Sequence, residues 1–257
     1  MIDILEAIFL GVVQGIVDPM PVSSSGHLVL VQHFLGIEQR LTLSVFLHFG
    51  NLMAIILVFR HDIREIFSLK PGYPRLLKYI ILGIIPVGFF GFFFRSFFDT
   101  VFGTTVIVGF MLLITGIVLY ASRMADRHGR PLKKMKLKDA AFVGFAQAAA
   151  LFPGLSRSGM TIVSGLFSGL DRQLAVKYSF LMSIPVVFAA SMLEAFTIYQ
   201  EGFGDVTAGM IIAGTLSAVI SGFAAIKLLQ EIVDRRRLYA FAYYCWMLGI
   251  LLLIIFL

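Results

Sequence analysis

The chain has 257 residues and a formal net charge of +6; 59% of its residues are hydrophobic, 14% are charged and one is a cysteine. Soluble domains contain roughly 25% charged residues, so this composition, with a mean hydropathy of +0.92, excludes an ordinary soluble protein. It predicts one membrane domain over residues 1–257. A single cysteine excludes an intrachain disulfide. Basic loops at a membrane surface account for the positive charge, so we expect membrane lipids and no nucleic acid as partners.

The first predicted element, Ile2–Gly36, is apolar at both ends and broken in the middle by Asp18-Pro-Met-Pro-Val-Ser-Ser-Ser-Gly-His27. A transmembrane helix needs about 20 apolar residues, whereas each arm here has roughly 10–15, which is typical of re-entrant segments. We therefore predict a re-entrant helical hairpin with its polar tip at membrane depth.

Three apolar segments of spanning length follow, then a second broken segment, then three more spans. The second broken segment, Asp139–Leu170, is interrupted by Pro153-Gly-Leu-Ser-Arg-Ser-Gly159 and predicts another hairpin. The six predicted transmembrane helices are Leu41–Phe59, Leu77–Phe94, Val101–Ala121, Tyr178–Tyr199, Val206–Ile226 and Leu238–Leu257.

The charges of the loops predict the orientation. Basic residues concentrate in loops 60–78, 122–138 and 230–237, whereas 95–100 is nearly neutral and 200–205 is acidic. Because basic loops favour the cytoplasm, we expect the first group inside and the second outside. The first hairpin then enters the membrane from outside and the second from the cytoplasm.

The two broken segments also resemble each other, because each half of the chain has a hairpin followed by three spans. The matching residues are Gly11, Gln14, Ser23, Ser25 and Gly26 with Gly144, Gln147, Ser156, Ser158 and Gly159. The predicted fold class is an all-α integral membrane protein with six transmembrane helices plus two re-entrant helical hairpins in an inverted-topology repeat. Its parts are half one, 1–121, a basic cytoplasmic linker, 122–138, and half two, 139–257. Irregular backbone at membrane depth must be buried in protein or line a cavity, so we expect the two tips to meet.

The polar side chains of the tips suit phosphate chemistry. The first tip offers Gln14, Asp18, Ser23, Ser24, Ser25 and His27, and the second offers Ser156, Arg157, Ser158 and Thr161. A helix N-terminus and an arginine both bind phosphate, and a charge at membrane depth is functional by default. A serine hydroxyl can attack phosphorus when His27 or Asp18 takes its proton. Asp18 could instead orient His27 or hold a divalent cation.

Other polar residues have structural explanations. Ser164 is expected to pack helices together. His48 and Asn51 fit the lining of the pocket and a tie between helices equally well. Gln147 is either a packing amide or the counterpart of Gln14 in the pocket.

The two tips also carry a family resemblance. Gly11-Val-Val-Gln14-Gly-Ile-Val-Asp18, followed by Pro21-Val-Ser-Ser-Ser-Gly-His27, resembles the first signature of the bacitracin-resistance undecaprenyl-diphosphate phosphatases. Pro153-Gly-Leu-Ser-Arg-Ser-Gly-Met-Thr161 matches their second signature, Pro-Gly-x-Ser-Arg-Ser-x-x-Thr. The similarity covers essentially the whole chain.

The resemblance implies hydrolysis of undecaprenyl diphosphate to undecaprenyl phosphate and inorganic phosphate, which recycles the lipid carrier for cell-wall synthesis. It implies a bacterial plasma membrane location, a site open to the outer face, and a divalent cation, Mg²⁺ or Ca²⁺, with Asp18 and Gln14 as candidate ligands. Ser24 is the implied nucleophile and His27 its acid/base partner, with a histidine nucleophile as the other reading. The implied phosphate-binding residues are Arg157, Ser156, Ser158, Thr161, Ser23 and Ser25.

The sequence departs from the family pattern at more than one position. Aspartate stands at Asp18 where the family has glutamate, so its carboxylate falls about 1–1.5 Å short, and a misplacement of that size can cost about 10²-fold in rate. Pro19 follows where a bulky apolar residue is usual. These changes leave the rate, the metal requirement and the substrate preference open. The alternative function is an inverted-repeat transporter or flippase for polyprenyl phosphate or another anionic substrate, and the sequence leaves open whether the chain forms a homodimer.

Overall fold

A computed structural model describes residues 3–24, 26–27, 30–31, 41–68, 72–94, 97, 105–125 and 129–257. Within these ranges the chain is helical, and the pairing of Arg130 with Leu170 is an isolated bridge rather than a strand. The helices of the first half are α1 (Ile4–Val17), α2 (Leu41–Val58), α3 (Arg60–Phe67), α4 (Tyr73–Phe93) and α5 (Thr105–Ala121). Two 3₁₀ turns follow, Ser122–Met124 and Leu132–Lys134. The helices of the second half are α6 (Leu137–Ala149), α7 (Arg157–Phe167), α8 (Arg172–Glu201), α9 (Ala208–Asp234) and α10 (Ala240–Phe256).

Four of the described helices are long and apolar enough to cross a membrane, namely α4, α5 with its 3₁₀ extension, α8 and α9. A fifth candidate is α2 together with α3, which are bent by 74° at their junction. The helices α1 and α10 are apolar but shorter. By length and composition, the chain is therefore a helical membrane protein with several spans.

Two charged ends lie beyond the predicted spans. The helix α8 begins at Arg172, before the predicted start at Tyr178, and α9 ends at Asp234, after the predicted end at Ile226. A prediction based on apolar runs ends each span at the first charged residue. The backbone nevertheless stays helical there, because the charged side chains contact polar partners. Lys177, for example, pairs with Asp62 at 2.6 Å.

The predicted breaks in the two polar segments are present. The helix α1 ends at Val17, immediately before Pro19 and Pro21, and α6 ends at Ala149, shortly before Pro153. Proline lacks a backbone N–H and its ring clashes with the preceding turn, so neither helix can continue through these residues.

Small residues allow the helices of the two halves to pack closely. The helix α1 packs on α9, α6 on α4, α2 on α9, α4 on α8, and α5 on α10. A side chain at Gly15 would collide with the carbonyl of Ala218 on α9, and one at Gly144 with the carbonyl of Gly83 on α4. Close backbone approach at small residues is the usual mode of helix association in membranes.

Candidate active site

The first tip turns sharply between α1 and the next helical residues. Asp18 closes α1, where its backbone N–H donates to the carbonyl of Gln14 at 3.0 Å. Ser23 has a φ of 64°, a left-handed conformation that is uncommon for a residue with a side chain. Helical conformation resumes at Ser24. The turn therefore presents Asp18 and the Ser23–Ser24 pair on the two sides of one short loop.

The second tip is held against α5. Gly154 has a φ of 96°, and a Cβ there would collide with the carbonyl of Val108. The hydroxyl of Thr115 donates to the Gly154 carbonyl at 3.0 Å and accepts from the Ser156 N–H at 3.2 Å. Ser156 then caps α7, accepting from the Gly159 N–H at 3.2 Å. These contacts fix the N-terminus of α7, where anions are favoured.

The two tips meet at Asp18. Arg157 Nη2 donates to Asp18 Oδ2 at 3.3 Å, and Ser24 Oγ donates to Asp18 Oδ1 at 3.4 Å. Ser158 Oγ donates to the carbonyl of Met20 at 3.1 Å. The side chains of Arg157 and Asp18 are only 19% and 12% exposed. One carboxylate thus links a hydroxyl of the first tip to a guanidinium of the second.

A cavity of about 160 Å³ opens at this meeting point. Its polar lining is Asp18, Ser23, Ser24, Ser156 and Arg157. Its apolar lining is Met20, Ala150, Phe152, Pro153 and Leu155. Half of the predicted site residues therefore share one small space.

The other predicted site residues lie behind this cavity or beyond the described ranges. Ser25 is outside the described residues. Thr161 is fully buried, where its hydroxyl donates to the Arg157 carbonyl at 2.8 Å and meets Ser179 Oγ of α8 at 2.5 Å. Thr161 and Ser158 hold the tip in place, and neither lines the cavity.

His27 is engaged at both ring nitrogens. Its Nδ1 lies 2.9 Å from the Ser23 carbonyl, which can only accept, so Nδ1 bears the proton in the neutral ring. Its Nε2 then accepts from the Tyr244 hydroxyl at 2.6 Å, and the two rings stack with centroids 5.5 Å apart. His27 is therefore turned towards α10, while the Ser24 hydroxyl is directed at Asp18.

Sequence reasoning missed Tyr244. It lies within the apolar run of α10, more than two hundred positions from its partner, and no motif surrounds it. The one available signal was general: a tyrosine hydroxyl inside an apolar span usually needs a polar partner.

Gln14 belongs to a cluster that ties α1 to α2. His48 Nδ1 donates to the Ser44 carbonyl at 2.9 Å, so its Nε2 accepts from Gln14 Nε2 at 3.0 Å. Asn51 Nδ2 donates to the Gln14 carbonyl at 3.0 Å. Of the two readings left open for His48 and Asn51, the geometry favours the tie between helices.

Gln147 is 2% exposed, and among the described residues neither atom of its amide has a hydrogen-bond partner. It does not line the cavity. Ser164 back-bonds to the Thr161 carbonyl at 3.0 Å, in keeping with a packing role.

The donor set at Asp18 limits how a divalent cation could bind. Among the described residues, no three His, Cys, Asp or Glu side chains gather as a metal site. Mg²⁺ is often held by one or two carboxylates plus substrate phosphates, and Asp18 fits that arrangement. The Nε2 end of the Gln14 amide faces His48, so its Oε1 end is the one suited to a cation.

Comparisons with known proteins agree with this geometry. The profile of the family described as bacitracin resistance protein BacA matches residues 7–251. The chain is 44% identical over 254 residues to an undecaprenyl-diphosphatase of Halothermothrix orenii, covering 98% of each chain. It is 41% identical over 271 residues to an undecaprenyl-diphosphatase of Methanobrevibacter smithii, covering 97% of this chain and 96% of the relative. It is 38% identical over 253 residues to undecaprenyl-diphosphatase 4 of Bacillus cereus, with 97% and 96% covered. The chain therefore belongs to the BacA family of bacitracin resistance proteins.

Proposed function

We propose that this chain hydrolyses undecaprenyl diphosphate to undecaprenyl phosphate and inorganic phosphate, and so recycles the lipid carrier for cell-wall synthesis. The single observation that supports this most is the Asp18 carboxylate, which contacts a serine hydroxyl and an arginine in one small cavity. A hydroxyl, a proton acceptor and a phosphate ligand are the groups that a covalent phosphatase needs. The names of the relatives supply the lipid substrate.

Ser24 is the nucleophile in this proposal. Its Oγ attacks the terminal phosphorus, its proton passes to Asp18, and the bond from that phosphorus to the bridging oxygen breaks to release the lipid monophosphate. Asp18 loses that proton to solvent and then takes a proton from a water molecule that attacks the phosphoserine. The bond from phosphorus to Ser24 Oγ breaks, inorganic phosphate leaves, and Asp18 returns the proton to Oγ. Ser24 is preferred over His27 because Ser24 lines the cavity and already donates to Asp18, whereas both nitrogens of His27 are engaged elsewhere.

Arg157 holds the diphosphate, together with the first-turn N–H groups of α7. Its guanidinium contacts Asp18 at 3.3 Å, and substrate phosphate would share or replace that contact, because a planar guanidinium suits phosphate oxygens. Ser156 and Ser23 line the same cavity and add polar contacts. Ser158, Thr161 and Ser25 complete the proposed clamp, the first two by fixing its backbone.

His27 holds the first tip in place. By donating to the Ser23 carbonyl, it stabilises the left-handed residue immediately before Ser24. A direct acid/base role would require the imidazole to turn away from Tyr244. A divalent cation, Mg²⁺ or Ca²⁺, is assigned to Asp18 and Gln14, where it would neutralise charge on the diphosphate.

The architecture proposed for this activity has six transmembrane helices and two re-entrant hairpins, in inverted halves 1–121 and 139–257 joined by a basic linker, 122–138. The helix packing supports it. In the two halves, α1 corresponds to α6, α2 to α8, α4 to α9 and α5 to α10. If each helix is exchanged for its counterpart, the α1–α9 contact becomes α6–α4 and the α2–α9 contact becomes α8–α4. The contact between α5 and α10 is unchanged by the exchange. The charge of the loops supports a cytoplasmic position for the linker. A bacterial plasma membrane location and a site that opens outwards are proposed from the family resemblance.

Phosphate release from a polyprenyl diphosphate tests the activity. Purified protein with Mg²⁺ or Ca²⁺ should release phosphate, and Ser24→Ala and Arg157→Ala should abolish release. Ser164→Ala, on the same helix as Arg157, is the control that should remain active. A wild-type protein inert towards lipid diphosphates with either metal would overturn the proposal. If lipid phosphate crosses proteoliposome membranes in the Ser24→Ala variant, the transporter alternative gains support.

A further inference from the structure

A second polar cavity, of about 380 Å³, shares no residue with the catalytic one. It lies where three chain junctions meet: the 3₁₀ turn after α5, the start of α8 and the turn between α9 and α10. Arg123, Arg172 and Arg236 line it, together with Ser122 and Tyr239. Nothing in the proposed hydrolysis uses these residues.

Arg123 is held between two tyrosines. Its guanidinium carbon lies 5.1 Å from the ring centroid of Tyr120 and 4.8 Å from that of Tyr239, and its Nη1 donates to the Tyr120 hydroxyl at 2.9 Å. Stacking of this kind fixes a planar guanidinium while leaving other N–H groups able to donate. The charge is therefore positioned at the wall of the cavity.

Arg172 is held at the opposite wall. Its Nη1 donates to the Val233 carbonyl near the C-terminus of α9 at 3.4 Å. Arg236 repels this guanidinium and Asp234 attracts it. The nearby Asp171 is occupied as the cap of α8, accepting from the Leu174 N–H at 2.7 Å. Among the described residues, the charged side chains that line the cavity are therefore arginines.

Arg236 occupies a backbone position that usually belongs to glycine. Its φ is 59°, its N–H donates to the Val233 carbonyl at 3.0 Å, and the Arg237 N–H donates to the Ile232 carbonyl at 2.9 Å. This is the pattern of a helix that ends in a left-handed residue, where glycine avoids the strain. An arginine at this position carries backbone strain that a glycine would avoid.

Aromatic residues place this cavity at the edge of the membrane. Tyr120, Tyr243 and Trp246 form a ring cluster next to Arg123, with centroids 5.6–6.2 Å apart. Tyrosine and tryptophan concentrate at the level of the lipid headgroups, and basic pockets between helices on the cytoplasmic side bind acidic headgroups.

We propose that the cavity lined by Arg123, Arg172 and Arg236 binds the phosphate headgroup of an anionic glycerophospholipid. The bound phosphate joins the ends of α5 and α9 to the starts of α8 and α10, and offsets the repulsion between the arginines. Free inorganic phosphate presents the same oxygens but has no acyl chains to hold it at the membrane edge.

The test uses the full chain, delipidated in a mild detergent, with the apparent Tm measured against added phosphatidylglycerol, phosphatidylcholine or inorganic phosphate. Phosphatidylglycerol should raise the Tm saturably, phosphatidylcholine should not, and inorganic phosphate should act only at far higher concentration. Arg236→Gly removes the charge and relieves the backbone, so it should weaken phosphatidylglycerol binding about fivefold without lowering the lipid-free Tm. Arg172→Gln should weaken it similarly.

Arg235→Gln is the matched control, because Arg235 is 62% exposed, pairs with Glu231 and does not line the cavity. It should bind phosphatidylglycerol as the wild type does. Equal responses to the two lipids, or an Arg236→Gly response equal to that of the wild type, would overturn the proposal. So would inorganic phosphate binding as tightly as phosphatidylglycerol, which would assign the cavity to a soluble anion.

Discussion

Asp18 contacts side chains of both tips. Its carboxylate contacts Ser24 at 3.4 Å and Arg157 at 3.3 Å. Both distances are longer than is usual for hydrogen bonds to a charged group, so the carboxylate lies between the two partners and is not bound tightly to either. Pro19 and Pro21 fix the backbone that follows, and this limits how far the tip can move to adapt to another side chain.

We expect Asp18→Glu to lower kcat by about tenfold, because the longer side chain carries the carboxylate past the Ser24 hydroxyl towards Arg157, and errors near 1 Å cost rate. Initial rates of phosphate release under saturating substrate would measure it. Asp18→Asn should be far slower, since it removes the proton acceptor. A rate increase in Asp18→Glu would instead show that aspartate is a weakened version of the family's glutamate.

Tyr244 is expected to act through His27. Tyr244→Phe keeps the ring stacking but removes the 2.6 Å hydrogen bond, so the imidazole is held less firmly and kcat should fall several-fold, with KM and the apparent Tm nearly unchanged. Tyr243→Phe, on the neighbouring face of α10, is the control. A faster Tyr244→Phe enzyme would mean that His27 must leave Tyr244 to act directly as acid or base.

At the scale of single residues, the sequence predicted the residues that line the cavity better than the contacts that hold them in place. Asp18, Ser24, Ser156 and Arg157 could be named because each lies in a helix break with a recognisable pattern of polar residues and proline. The contact between His27 and Tyr244 could not, because it depends on how α10 packs across the other half of the chain. Such a pairing leaves no local pattern.

Among the elements, the turn before α7 is the most constrained. Gly154 combines a left-handed φ of 96° with direct backbone contact against Val108 of α5. Gly154→Ala should therefore destabilise the protein by about 1–2 kcal/mol or more, lowering the apparent Tm by several degrees and reducing activity as the Ser156 cap shifts.

Gly88 provides the matched control for that change. It lies in α4, where a Cβ would have no neighbour within 4 Å, so Gly88→Ala should be neutral or slightly stabilising. Thermal unfolding of both variants in the same detergent makes the comparison. Equal Tm values for the two variants would show that the Gly154 turn relaxes freely.

The sequence predicted most helices and both breaks, because apolar runs and prolines are local signals. It could not give the ends of α8 and α9, where Arg172 and Asp234 lie beyond the apolar runs. It ended one span at Phe59, where the chain bends by 74° after Val58, but it did not predict that the chain continues there as the helix α3. That bend follows from an amphipathic segment with charged residues at Arg60 and Asp62, which is suited to the membrane surface.

For the whole molecule, the inverted arrangement makes a prediction about sidedness. Both ends of the second broken segment are assigned to the cytoplasm by the basic residues around it, yet its tip lines a cavity proposed to open outwards. A membrane-impermeant maleimide applied to intact cells can test both statements. Cys245 is buried and would be replaced by serine to give a cysteine-free background.

Three single-cysteine variants of that background would then be compared. Asp205→Cys should react from outside, and Lys134→Cys only after the cells are opened, because the loop charges predict that the acidic loop and the basic linker lie on opposite faces. Leu155→Cys, at a position that lines the cavity of the proposed active site, should react from outside, although more slowly than Asp205→Cys because the cavity is narrow. Labelling of Leu155→Cys only in opened cells would contradict an outward-facing site, and equal labelling of Lys134→Cys and Asp205→Cys in intact cells would contradict the inverted arrangement itself.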